Sequence, residues 1–90
     1  MREMLADSCK EVGEDGTEHC FEYIILVDEM EVSGGLFCES YGVRVVREDG
    51  ESAEVRNLTV RVERIDELVE LLRRNAVSPV TLRDVVEDWL

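Results

Sequence analysis

A five-residue pattern, Val-x-Glu-Asp-Gly, occurs twice in the chain, as Val12-Gly13-Glu14-Asp15-Gly16 and as Val46-Arg47-Glu48-Asp49-Gly50. Asp-Gly between β-prone segments is a strong hairpin signal, because a type I′ turn needs positive φ at both central residues. Ser33-Gly34-Gly35 marks a third turn, between Tyr23–Val32 and Leu36–Arg47. These turns predict that residues 9–60 form four strands joined as a meander. The repeat is a turn signature and not a duplicated domain.

Alternation supports the strands and says what must cover them. Phe37, Tyr41, Val43 and Val45 share one parity, and Cys38, Ser40, Gly42 and Arg44 the other, which describes a half-buried strand. The second strand differs, because Ile24 and Leu26 face opposite to Tyr23, Ile25 and Val27. Both of its faces are apolar, so each side of the sheet needs a cover there. Parity slips between Val55 and Leu58, predicting a bulge or strand end near Arg56-Asn57. Pairing across Asp15-Gly16 favours strand for residues 9–13, although Met1, Met4, Leu5, Cys9 and Val12 also fit a short helical stripe closed by Gly13. Residues 1–8 are expected to be frayed or partly helical.

Beyond Val62 the period changes. Ile65, Leu68, Val69 and Leu72 fall at i, i+3, i+4 and i+7, the stripe of an amphipathic helix. Asp66 and Glu67 in its first turn and Arg73-Arg74 in its last suit the helix dipole, and Asn75 is a plausible stop. A second helix starts near Ser78-Pro79, or at Thr81 with Asp84 as a capping box. Leu82, Val85, Val86, Trp89 and Leu90 form its apolar face. Strands followed by helices without β-α alternation make an α+β domain: an antiparallel meander of three to four strands, then two C-terminal helices packed on one face. Residues 1–90 form one domain, since a chain of this length supports a single modest core.

Charge narrows the function. The chain carries 22 Asp+Glu against 10 Lys+Arg, a formal net charge of −12. Such a balance disfavours nucleic acid as a partner, because affinity for phosphates comes largely from Lys and Arg. Its longest apolar run, Tyr23–Val27, is far too short to cross a membrane. The N-terminus has no apolar run of signal-peptide length, and three cysteines, Cys9, Cys20 and Cys38, form no even set. Reduced thiols in a bacterial cytoplasm are the expectation.

Tyr41-Gly42-Val43 in a strand, an acidic turn after it, and the ending Ser78-Pro79-Val80-Thr81-Leu82-Arg83-Asp84-Val85-Val86-Glu87-Asp88-Trp89-Leu90 resemble a family of small uncharacterised proteins from clostridia and related Firmicutes, catalogued as a domain of unknown function. The likeness spans roughly Tyr23 to Leu90, leaving the acidic N-terminal stretch outside its motifs. It implies a cytosolic bacterial protein and brings no activity or site residue with it.

No chemistry is signalled strongly. His19 and Cys20 are adjacent in a strand and point to opposite faces, so they do not make a nucleophile–base pair. Cys38 could approach Cys20 across paired strands, with both on one sheet face, but the preferred reading is of small buried apolar cysteines without redox or catalytic chemistry. Cys9, His19, Cys20 and Cys38 match no zinc spacing, and Asp28-Glu29-Met30-Glu31 and Glu48-Asp49-Gly50-Glu51 match no calcium loop. Asp84, Glu87 and Asp88 lie together on the last helix, as a solvated face. No metal or cofactor is expected.

Two function classes follow. The preferred one is a non-catalytic protein-interaction or regulatory module whose acidic surface meets a protein partner of basic character. Trp89, Leu90, Ile24 and Leu26 are its candidate interface residues, and the uncovered Ile24/Leu26 face suggests a homodimer, formed sheet to sheet or by an edge strand. The alternative is a small enzyme or ligand-binding module using Cys20 and Cys38 or the clustered carboxylates. Residues 1–31 hold ten acids and two bases, whereas residues 32–63 and 64–90 each hold six acids and four bases. An electrostatic partner is therefore sought at the N-terminal third.

Overall fold

In the computed structural model, which describes residues 2–90, β1 (Arg2–Val12), β2 (Glu18–Val32), β3 (Leu36–Arg47) and β4 (Ser52–Thr59) form one antiparallel sheet in the order β1-β2-β3-β4. Helices α1 (Val62–Arg74) and α2 (Leu82–Trp89) follow. The α+β meander with two C-terminal helices on one face is thus what the alternation predicts. β1 starts earlier than expected, however, so residues 2–8 are strand and neither frayed nor helical. Ala6 hides them from a parity reading: Leu5 pairs with Ile24 and Asp7 with Tyr23, leaving one residue bulged between.

Both Glu-Asp-Gly turns adopt the same geometry, and it is not type I′. Gly16 N–H donates to Gly13 C=O at 3.0 Å and Gly13 N–H to Thr17 C=O at 2.7 Å. Gly50 N–H to Arg47 C=O at 2.9 Å and Arg47 N–H to Glu51 C=O at 2.8 Å repeat the pattern. Only the glycines take positive φ, +83° at Gly16 and +95° at Gly50. This is a type I turn closed by a left-handed glycine bulge. The aspartates stay right-handed and spend their carboxylates on the loop: Asp15 Oδ1 accepts from Thr17 N–H at 3.0 Å, and Asp49 Oδ1 from Glu51 N–H at 2.9 Å.

The helices seal one face of the sheet. Phe21, Tyr23, Ile25, Val27, Val43 and Val45 bury against Ile65, Leu68, Val69 and Leu72 of α1, and against Val77, Leu82 and Val86. Tyr23 is fully buried, and its hydroxyl donates to Val77 C=O at 3.1 Å, tying the sheet centre to the interhelical loop. Burial, with Cys9, Glu11 and Asp7 nearby, pushes its phenol well above the ordinary tyrosine range. α1 ends at Asn75 as the sequence suggests, but the left-handed residue is Ala76, at φ 47°. Val77 N–H reaches Leu72 C=O at 3.0 Å and Ala76 N–H reaches Arg73 C=O at 3.2 Å, a Schellman closure. α2 begins after Thr81, with no side-chain cap: the Ser78 and Thr81 hydroxyls face each other at 3.3 Å.

On the opposite face β4 folds over the sheet at Gly42. Tyr41 pairs with Thr59 and Val43 with Val55, so two steps on β3 match four on β4, and the excess forms a bulge containing Asn57 at φ 56°. The expected irregularity at Arg56-Asn57 is therefore real. Its backbone crosses Gly42 so closely that a Cβ there would stand 2.4 Å from Val55 O and 2.7 Å from Arg56 Cα. Glycine at position 42 is a steric requirement.

Two substitutions check this. Gly42→Ala forces backbone against backbone and is expected to cost about 2 kcal/mol or more in urea-unfolding stability. Ala76→Gly relieves a left-handed alanine and is expected to gain about 0.5–1 kcal/mol in the same titration.

Candidate interaction surface

Leu26 shows how the outer sheet face is finished. It is fully buried yet lies outside the helix-side core, between Glu3 on β1 and Gly42 on β3. Ion pairs span the strand on both sides of it. Arg44 engages Glu3 across β2, and Glu54 at 3.0 Å. Arg56, raised on the bulge, holds Asp28 at 2.6 Å. Surface pairs of this kind contribute little by charge alone, about 0–1 kcal/mol each, but arginine stems cover apolar area. Leu26 consequently offers no surface to a partner, which corrects the expectation that it belongs to an interface. Ile24, between Leu5 and Arg44 in the register, stays half-exposed.

Further along the sheet the covers run out. Among the described residues β1 reaches Val27 and β4 reaches Tyr41, so residues 28–40 form a two-stranded arm projecting about 16 Å past the four-stranded region. The arm contributes to a molecule 56 Å long and only 23 Å by 18 Å across. Met30 and Val32 share one face of it with Leu36 and Cys38, through the pairs Met30↔Cys38 and Val32↔Leu36. Phe37 occupies the other face with Glu29, Glu31 and Glu39. Leu36 and Phe37 are 68% and 65% exposed, and Met30 and Val32 are exposed as well. The segment from Asp28 to Ser40 contains four carboxylates and no base. Asp28 is held by Arg56 and Glu39 by Arg2 at 2.6 Å. Glu29 and Glu31 have no cation within 4 Å among the described residues. Arg56 also holds the Asp28 carboxyl below its ordinary range by hydrogen bonding.

The remaining candidates are scattered. Cys20 sits at the far end of β2 from the arm, whereas Cys38 pairs with Met30, ten positions away along β2, or about 33 Å. Equal parity sets the face and not the position along the strand, so the two thiols do not meet. Cys20 lines an open hollow of about 260 Å³ with Glu22, Val46, Arg47, Glu48 and Gly50. Glu48 is already committed there: its Oε2 accepts the Cys20 backbone N–H at 2.7 Å, which lowers its pKa, and its Oε1 lies 3.7 Å from His19 Nδ1. No group of three His, Cys, Asp or Glu side chains among the described residues is arranged to hold a metal ion. No helix among them is long and apolar enough to cross a membrane. Trp89 packs against the core from α2, with the Arg64 guanidinium 4.3 Å over its ring. Leu90 is 72% exposed beyond it.

Truncations separate these roles. Leu26→Ala is expected to cost about 2–4 kcal/mol, as for a buried leucine, and Leu90→Ala less than about 0.5 kcal/mol, read from denaturant midpoints. Acid gives a second check. Hydrogen bonds from Arg47 hold Asp49 at about 2, and Asp28 is lowered by Arg56. Folded pKa values below the unfolded ones mean that these pairs stabilise above about pH 4 and are lost as pH falls towards about 2. The urea midpoint should therefore fall between pH 5 and pH 2, and fall less in an Asp28→Asn, Asp49→Asn double variant.

No curated protein and no solved structure matches the chain. A family model matches residues 2–90, taking in β1 and the acidic N-terminal stretch as well as the Tyr41-Gly42-Val43 strand and the last helix. The chain belongs to that family, the family of unknown function DUF6514.

Proposed function

We propose that the protein is a non-catalytic interaction module that docks through its β2–β3 arm onto another protein, at an apolar surface flanked by Lys or Arg. One observation carries the reading: Met30, Val32 and Leu36 on one face of a projecting ribbon and Phe37 on the other are exposed, while Phe21, Tyr23, Ile25, Leu26, Val27, Val43 and Val45 elsewhere on β2 and β3 are buried. An exposed apolar patch on a soluble domain marks an interaction site, and large apolar side chains dominate interface energies. The arm's charge chooses the partner. Its carboxylates, Glu29 and Glu31 above all, favour a basic surface and speed the encounter with one. They also repel a second arm, so a homodimer is the weaker form of the same idea. The setting is a reducing cytoplasm, where Cys9, Cys20 and Cys38 remain thiols.

Immobilised protein should retain a partner from cell extract at low ionic strength and release it at about 0.5 M salt, where screening is short-ranged. A Leu36→Asp, Phe37→Asp double variant should keep the native circular dichroism and melting curve and retain nothing. Capture indifferent to both salt and these substitutions contradicts the reading. Sedimentation as a dimer that the double variant abolishes would make a second copy the partner.

A further inference from the structure

The hydrogen-bond phase of the sheet determines which backbone groups of the arm are free. Glu48 N–H donates to Cys20 C=O at 3.2 Å, in the register that later pairs Phe21 with Arg47 and Val32 with Leu36. Opposed residues of an antiparallel pair alternate between hydrogen-bonded and non-bonded, so the even residues of β2 bond to β3. Gly13 N–H to Thr17 C=O at 2.7 Å sets the complementary phase: odd residues of β2 bond to β1. Among the described residues β1 reaches no further than Val27. Glu29 and Glu31 are therefore the next two residues whose N–H and C=O point to the β1 side, with no strand opposite them among the described residues. Their side chains have no ion pair among the described residues, and Met30 between them presents its side chain to the other face.

Resting on the docking reading above, we propose that this edge is a strand-addition site. Its occupant is an extended segment of another protein in which Lys or Arg alternates with apolar residues. The segment continues the line of β1, antiparallel to β2. Two basic residues, at i and i+2, sit opposite Glu29 and Glu31, and the apolar residue between them joins Met30 and Val32 on the other face. Backbone bonds supply affinity and the alternating side chains supply selectivity, as in strand addition generally. A second copy fits poorly. Antiparallel β2–β2 pairing about Met30 places Glu29 opposite Glu31, and like charges directly opposed are destabilising. Charged residues on a free strand edge are also a common guard against self-pairing.

A fluorescent, end-blocked hexapeptide alternating Lys and Val tests the site by anisotropy. In this register the lysine N–H groups bond to β2 and the valine N–H groups point away. N-methylation of the lysines should weaken binding at least tenfold, whereas N-methylation of the valines should change it less than about twofold. A Glu29→Lys, Glu31→Lys variant should lose the Lys-Val peptide and accept its Glu-Val counterpart. Equal binding of both N-methylated peptides, with the charge swap still effective, overturns strand addition and leaves arm docking standing. No binding of the Lys-Val peptide, or binding unaffected by the charge swap, overturns the proposal. Salt-sensitive capture lost in the Leu36→Asp, Phe37→Asp variant judges the docking reading independently.

Discussion

β2 is apolar on both faces, and the fold is the means by which a short chain covers both. Two helices close the face carrying Phe21, Tyr23, Ile25 and Val27. No helix among the described residues covers the face carrying Leu26; there β4 bulges over the sheet, and the bulge is admitted only because residue 42 has no side chain. The close approach at Gly42 thus helps to bury Leu26 on one face, where α1 and α2 cover the other, and leaves Ile24 half-exposed. It also gives a physical reason for a glycine in the middle of a central strand, where the residue otherwise weakens pairing.

The ion pairs fit the same scheme. Eight of the ten basic side chains, Arg2, Lys10, Arg44, Arg47, Arg56, Arg61, Arg64 and Arg73, lie within 4 Å of a carboxylate. Several of these pairs bridge elements that are not neighbours in the sheet order or that lie in different layers: Arg73 of α1 to Asp7 of β1 at 3.1 Å, Arg56 of β4 to Asp28 of β2, and Arg2 of β1 to Glu39 of β3. Cations are spent inside the fold, and the carboxylates in excess face outwards. The acidity of residues 1–31 is accordingly divided. Glu3, Asp7, Glu18 and Asp28 are structural partners, whereas Glu29 and Glu31 have no cation within 4 Å among the described residues.

Much of this was legible in the sequence, and the omissions have physical causes. Turn residues placed the hairpins, alternation found β2 and β3, and the parity slip located the β4 bulge. The turn type was not legible, because Asp-Gly serves both type I′ and the type I turn with a glycine bulge. The start of β1 was hidden by the single bulged residue Ala6, which shifts its alternation by one. Leu26 looked like a surface because its lid is made of backbone and arginine rather than an apolar stripe. The arm was masked the opposite way. Met30, Val32, Leu36 and Phe37 have core composition, and only strand ends, which composition does not report, leave them uncovered.

An arm of two strands has one hydrogen-bonded partner per strand, and an isolated ribbon of this kind is marginal in water. Here it is anchored by the four-stranded region at its base and by the Arg56–Asp28 and Arg2–Glu39 pairs. That combination holds the base of the arm while leaving the β2 edge beyond Val27 with no paired strand among the described residues. Amide hydrogen exchange on the isolated chain, monomeric by sedimentation, tests this directly. The amides of Tyr23, Ile25 and Val27, bonded into the sheet on the β1 side, should be strongly protected, and those of Glu29 and Glu31 should exchange near the rate of an unfolded peptide. Protection of Glu29 and Glu31 comparable to that of Ile25 would mean that the edge is already covered, and would contradict the account.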